Sequence, residues 1–235
     1  MRPETEASDS EFKAILRVGG LSTEEVHRIR VEQDNCQDID IKNYSAIIAG
    51  GSPFDVSIPE ANKSIAQKNV EDFFYSLFDK VMPQDFPFLG VCSANGLLGR
   101  YCGATISDKY AEPIGSVDVR VTDEGAKDPL LKGLPKEFPA LAGHKEACDT
   151  IPAGAVLLVA SGPCPVQMFR VKENIYATQF HPEADADEFI LRVRIYKYAG
   201  YFQPEEAEEL IKSIRQSNVP VPREILRRFV DRYRS

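Results

Sequence analysis

The chain is poor in the residues that make metal centres and disulfide frameworks. Its 235 residues include only three histidines and five cysteines. The cysteines, Cys36, Cys92, Cys102, Cys148 and Cys164, are odd in number and contain no C-x-x-C pair. That spacing fits neither a zinc ribbon nor a set of paired disulfides, and it implies reduced thiols. His144 and Cys148 stand four apart and could share a helix face, but two ligands do not make a metal site, so no metal and no cofactor are expected. No apolar run approaches the ~20 residues that span a bilayer. The start, MRPETEASDSEF, is acidic and lacks the apolar core of a signal peptide. These features predict a soluble, cytoplasmic protein with no membrane partner. Positive charge is also short: the net charge is −8, which argues against nucleic acid as a partner. Only the C-terminal stretch from Arg215 onward is rich in arginine, which reads as a solvated helix face or as a docking surface for an acidic partner. Finally, the chain has no G-x-x-x-x-G-K-[ST] phosphate loop and no SGGxDS-type pyrophosphatase loop.

What is present is a core: 43% of the residues are hydrophobic, enough for one sizeable domain. Ser8 and Glu11 have capping-box spacing ahead of a helix that Gly19-Gly20 would end. HRIRVE (27–32) alternates like a half-buried strand, and YSAIIAGGS (44–52) reads as a short buried strand running into glycines. Val70, Phe73, Phe74, Leu77, Phe78 and Val81 repeat at helical spacing and lead into the strand FPFLGV (86–91). Helices alternating with strands that end in glycine predict a parallel α/β sheet. The second half, with SVDVRVT, PALAG, AVLLVAS, VQMFRV and IYATQF between turn residues, predicts antiparallel additions. After His181 the chain turns helical, with 203–235 a helical extension of a single domain spanning 1–235.

Two places could carry chemistry. Cys92 sits where the FPFLGV strand stops and a small-residue helix begins, with Gly90 two residues earlier. Such a corner suits a packed core cysteine. It also suits a nucleophile lifted clear of the sheet beside backbone N–H donors. A thiol nucleophile needs a base, and the base an orienting group. YATQFHPEAD supplies both, with His181 and Glu183 presented together across the stiff Pro182.

GVC (90–92), QFHPE (179–183) and AGGS (49–52) resemble, in their order and spacing, the class I (triad) glutamine amidotransferases. GHKEAC (143–148), Ile151-Pro152, the CPVQ-F-V run (164–171) and ATQFHPE (177–183) resemble most a group of stand-alone, GMP-synthase-like members. The resemblance implies a flavodoxin-like fold: a mostly parallel sheet flanked by helices, with added antiparallel strands. It implies a glutaminase in which Cys92 forms a γ-glutamyl thioester, His181 is base and acid, and Glu183 orients it. The backbone N–H groups of Gly51 and Ser93 would form the oxyanion hole. The partners implied are a small-molecule substrate and a separate synthetase that uses the ammonia. The family elbow G-x-C-x-G-x-Q is altered here: Ala94 replaces the glycine and Gly96 the glutamine that helps hold the substrate. The substrate-binding residues therefore stay open. So do two other readings: a hydrolase of γ-glutamyl peptides or conjugates, and a non-catalytic binding module. The family also opens with an apolar strand inside the sheet, and no such run precedes Phe12; its absence leads us to expect a start upstream of Met1 and unpaired sheet positions where that strand would lie.

Overall fold

In a computed structural model, residues 1–33 and 38–234 are described; Cys36 lies outside them. Helix α1 (Thr5–Gly19) begins earlier than the capping-box reading requires. Glu4 precedes it, and Ser8 and Glu11 are buried inside it. The helix does stop at the glycines, with Gly20 left-handed at φ 63°. The HRIRVE segment forms no strand. Alternation supplies a face to bury, but a strand also needs a hydrogen-bonded neighbour, and here the sheet ends before reaching it. The strand β1 (Ile47–Ala49) follows, then α2 (Ile65–Gln84), β2 (Phe88–Val91) and α3 (Ser93–Tyr101). Ser64 caps α2 by accepting from the Gln67 N–H, and the helix buries Val70, Phe74, Leu77, Phe78 and Val81.

The second half supplies β3 (Ile106–Ser107), β4 (Glu112–Val121), β5 (Glu137–His144), β6 (Ala147–Cys148), β7 (Ala155–Ala160), β8 (Met168–Val171) and β9 (Ile175–Thr178). Helices α4 (Ala186–Ile195), α5 (Ala207–Gln216) and α6 (Pro220–Tyr233) complete the chain. Seven strands form one sheet in the order β1-β2-β9-β8-β7-β4-β5, while β3 pairs with β6 apart from it. The fold is α/β and flavodoxin-like, but the sheet is less parallel than expected. Only β1–β2 and β2–β9 are parallel; the other four pairings are antiparallel. Short links explain the difference, since parallel neighbours need a crossover and β7, β8 and β9 follow one another through brief turns.

Both faces of the central strands are covered. Phe88, Ile175 and Ala177 face a core with Phe74, Phe78 and Leu98; Leu89 and Tyr176 face another with Leu226, Phe229 and Val230. Removing the fully buried Phe78 side chain would cost about 3–5 kcal/mol. The C-terminal helices are part of this packing: α6 closes the second core, and α5 joins a third with Leu141 and Phe189. Among the C-terminal arginines, Arg228 pairs with Glu224 one turn away in α6, and Arg234 pairs with Glu25.

No strand precedes α1 among the described residues. On this side the sheet ends at β1. A cavity of about 480 Å³ lies there, walled by residues 25–31, β1 and side chains of α1, α2 and α6. No helix among the described residues is long and apolar enough to cross a membrane.

Candidate active site

The site grows from two adjacent parallel strands. β2 and β9 run side by side with Val91 opposite Thr178, so the residues that follow each strand emerge at the same sheet end. After β2 comes Cys92, in a conformation foreign to most side chains, φ 55° and ψ −104°. The Cys92 N–H donates to the Thr178 carbonyl at 2.8 Å, and its carbonyl accepts from Asn95 N–H at 2.9 Å, so sheet and helix together hold the strained corner. Gly90 is required beside it, because a Cβ there would lie 3.0 Å from the Phe88 ring and 3.2 Å from Ala94. Ala94 thus fits where the family pattern has glycine only because position 90 is bare.

After β9, Gln179 and Phe180 lead to His181, whose N–H donates to the Leu141 carbonyl at 2.8 Å. The His181 Nδ1 stands 2.7 Å from Glu183 Oε1, and the ring packs edge-on to Phe189. Arg192 Nη1 lies 2.8 Å from the same Nδ1. Cys92 and His181 line one cavity with Arg2, Ser52, Tyr196 and Tyr201. A Cβ built on Gly51 would come 3.1 Å from His181 Cε1 and 3.5 Å from Cys92 Cβ, so this glycine lies between them. The cavity holds about 20 Å³, room for a water.

The structure thus brings Cys92, His181, Glu183 and Gly51 to one place, with Ser93 opening α3 directly after the thiol. In one respect it differs from the expected oxyanion hole: the Gly51 N–H donates to Glu11 Oε1 at 3.1 Å. Glu11 also accepts from Arg2 Nη2 at 3.1 Å and Arg192 Nη2 at 3.3 Å. Arg192 reaches on to Glu183 Oε1 (2.8 Å) and Glu188 Oε1 (2.6 Å). Sequence reasoning missed Arg2, Glu11 and Arg192. The one signal available was Glu188 and Arg192 at i, i+4 spacing in α4.

Burial dominates the electrostatics. It pushes the Cys92 thiol up to about 11, although Arg2 and Arg192 favour the thiolate. Burial, Arg192 and Arg2 hold His181 well below the usual imidazole range. The resting pair is therefore a neutral thiol and a neutral imidazole. Burial would raise Glu11, but Arg2 and Arg192 outweigh it and hold the carboxyl at about 2. Glu188 is pushed by burial to about 7.

At position 96 a Cβ would meet its neighbours at ordinary van der Waals distance. Val56, Glu146 and Ile106 surround it at 3.7–3.9 Å from where a Cβ would be, and Glu146 accepts from the Val56 and Ser57 N–H groups. His144 lies on a strand, not a helix, with Nε2 2.8 Å from Glu112 Oε2.

Residues 6–193 match the family model for glutamine amidotransferase class-I. The chain belongs to the class I glutamine amidotransferase family. It is 33% identical over 144 residues to a glutamine-hydrolyzing subunit of GMP synthase from Sulfurisphaera tokodaii, covering 61% of this chain and 69% of that protein. The glutamine-hydrolyzing GMP synthase of Clostridium novyi is 27% identical over 191 residues, covering 77% of this chain but only 34% of its own length. Among solved structures, a glutamine amidotransferase from Thermotoga maritima superposes with a TM-score of 0.77 at 19% identity, covering 99% of this chain and 95% of that one. One from Methylobacillus flagellatus gives 0.69 at 18%, covering 94% and 88%. At such identities the structures speak to the fold alone.

Proposed function

We propose that this amidotransferase hydrolyses the side-chain amide of glutamine through a γ-glutamyl thioester on Cys92 and passes the ammonia to a separate synthetase. The observation that carries the reading is the strained Cys92 corner sharing a cavity with His181, itself backed by Glu183.

With Glu183 accepting from Nδ1–H, the imidazole keeps its Nε2 lone pair for the thiol proton. Sulfur attacks the amide carbon, and the oxygen gathers negative charge toward the Ser93 N–H at the start of α3 and the Gly51 N–H once Glu11 releases it. His181 returns the proton to nitrogen as ammonia leaves; a water then attacks the thioester by the same route in reverse order, yielding glutamate and free thiol. Because the thiol rests protonated, transfer to His181 must accompany attack. Several relatives are named as one subunit of GMP synthase, which supports the separate synthetase.

The test is ammonia and glutamate release from glutamine, beside a panel of γ-glutamyl peptides and conjugates. Glutamine as the best substrate supports the reading. Release from the γ-glutamyl panel alone would turn it into a peptidase, and no turnover of either kind would leave a binding module.

A further inference from the structure

Glu183 is fully buried, and among the described residues it has two side-chain partners, both on Oε1: His181 Nδ1 at 2.7 Å and Arg192 Nη2 at 2.8 Å. Its other oxygen, Oε2, is buried with no partner. Among the described residues Arg192 is therefore the only permanent cation it touches. A buried carboxylate without a cation tends to take up a proton, and a protonated Glu183 would no longer fix the imidazole proton on Nδ1. Arg192 in turn is gripped from three sides, by Glu188 on its own helix, by Glu11 from α1 and by Glu183 itself. Its ring neighbour Phe189 lies beneath the guanidinium at 4.9 Å and also packs on His181. The guanidinium's Nη1 faces the same Nδ1 at 2.8 Å, but it can only donate. Nδ1 can either accept from that N–H or donate to the Glu183 carboxylate, and the tautomer with Nδ1–H requires the Arg192 Nη1–H to turn away from the ring.

We propose that Arg192 is a positioning residue for the amidotransferase reaction: anchored by Glu11 and Glu188, its guanidinium keeps Glu183 a carboxylate aimed at His181 Nδ1, and so keeps the imidazole in the tautomer that can take the thiol proton. The proposal rests on the reading of His181 as the base. Arg192 has no part in the bond-making steps; it acts through Glu183. A planar fork suits the task, since one guanidinium must serve three carboxylates in fixed directions.

Among the described residues, the charged and titratable groups around His181 are Arg2 from the N-terminal segment, Glu11 from α1, Cys92 from the corner, His144 from β5, Glu183 from the turn, Glu188 and Arg192 from α4, and the Tyr196 and Tyr201 hydroxyls after it. Removing the Arg192 cation favours the protonated forms of both His181 and Glu183, so both effects move the acid limb of activity in one direction, upward.

The experiment compares wild type, Arg192→Gln and Arg192→Lys. The acid limb of kcat/KM for glutamine hydrolysis should rise by at least about one pH unit in Arg192→Gln, with activity partly recovered above the limb, and return toward wild type in Arg192→Lys. A uniform loss at every pH, with the limb unmoved, would show a structural role and overturn the proposal. The His181 titration followed by NMR in the same proteins needs no substrate, and the chain's three histidines keep the spectra simple. It should move upward in the same order. If the wild type releases no ammonia, the proposed function fails on that ground and the titration alone judges Arg192. If Arg192→Gln does not fold, the neutral Arg192→Met decides: a His181 midpoint raised above wild type supports the proposal, and an unmoved midpoint overturns it.

Discussion

A methyl group at position 51 would test the site's geometry with little change elsewhere. Gly51 has no left-handed backbone angle, so alanine is conformationally acceptable there. Its Cβ, however, would stand 2.7 Å from Arg2 Nη2, 3.1 Å from His181 Cε1 and 3.5 Å from Cys92 Cβ. Arg2 is long and can give way, though it would loosen its bonds to Glu11 and Tyr196. His181 is held by Glu183 on one side and Phe189 on another, so it must shift by a few tenths of an ångström against those restraints. Overpacking of this kind costs about 1–3 kcal/mol of stability. The effect on rate should be larger, on the order of 10²-fold in kcat, because small misplacements of reacting groups are that costly. The assay is steady-state ammonia release from glutamine, with a thermal melt on the same sample to separate folding from chemistry. A Gly51→Ala enzyme that folds and keeps about a third or more of wild-type kcat would refute a working site built from His181 and Cys92 beside Gly51.

Other outcomes follow from the same geometry. A glutamine-like electrophile should label Cys92 and spare Cys148 and Cys164, whose thiols burial pushes up to about 12 and which lie outside the cavity that Cys92 lines; peptide mapping checks it. Gly96→Gln should destabilise the protein by about 1–3 kcal/mol without improving glutaminase activity, since its atoms beyond Cβ would have to displace Val56, Glu146 or Ile106, which stand 3.7–3.9 Å from where the Cβ would be; a gain in kcat/KM would contradict it. Glu11 has a folded-state carboxyl at about 2 against an ordinary 4.5, so the stability it adds is complete above 4.5 and is lost as the pH falls toward 2. Urea unfolding of Glu11→Gln should therefore depend less steeply on pH across that window, and an unchanged slope would count against the Arg2–Glu11–Arg192 cluster.

The parts of the site that were legible from sequence are those made by short, local patterns. Gly90, Cys92 and Ala94 announce a tight strand-to-helix corner, and His181-Pro182-Glu183 a stiff turn, because each constraint acts within a few residues. Helix α2 was legible from its apolar spacing for the same reason. What stayed hidden depends on distance in the chain. Glu11 has the spacing of a cap from Ser8, yet the helix begins at Thr5 and turns Glu11 into the site, 40 residues from Gly51. Arg192 meets Glu11 across 181 residues, and no local pattern encodes that meeting. The HRIRVE alternation misled for a related reason: it reports a face to bury and not the presence of a neighbouring strand.

The central claim is a covalent intermediate on Cys92. Rapid acid quenching during glutamine turnover, followed by mass spectrometry of the intact chain and its peptides, reads it directly. The expected result is a γ-glutamyl adduct on the peptide carrying Cys92, absent from Cys92→Ala, which should also release no ammonia above background. Ammonia release by Cys92→Ala at the wild-type rate would contradict it.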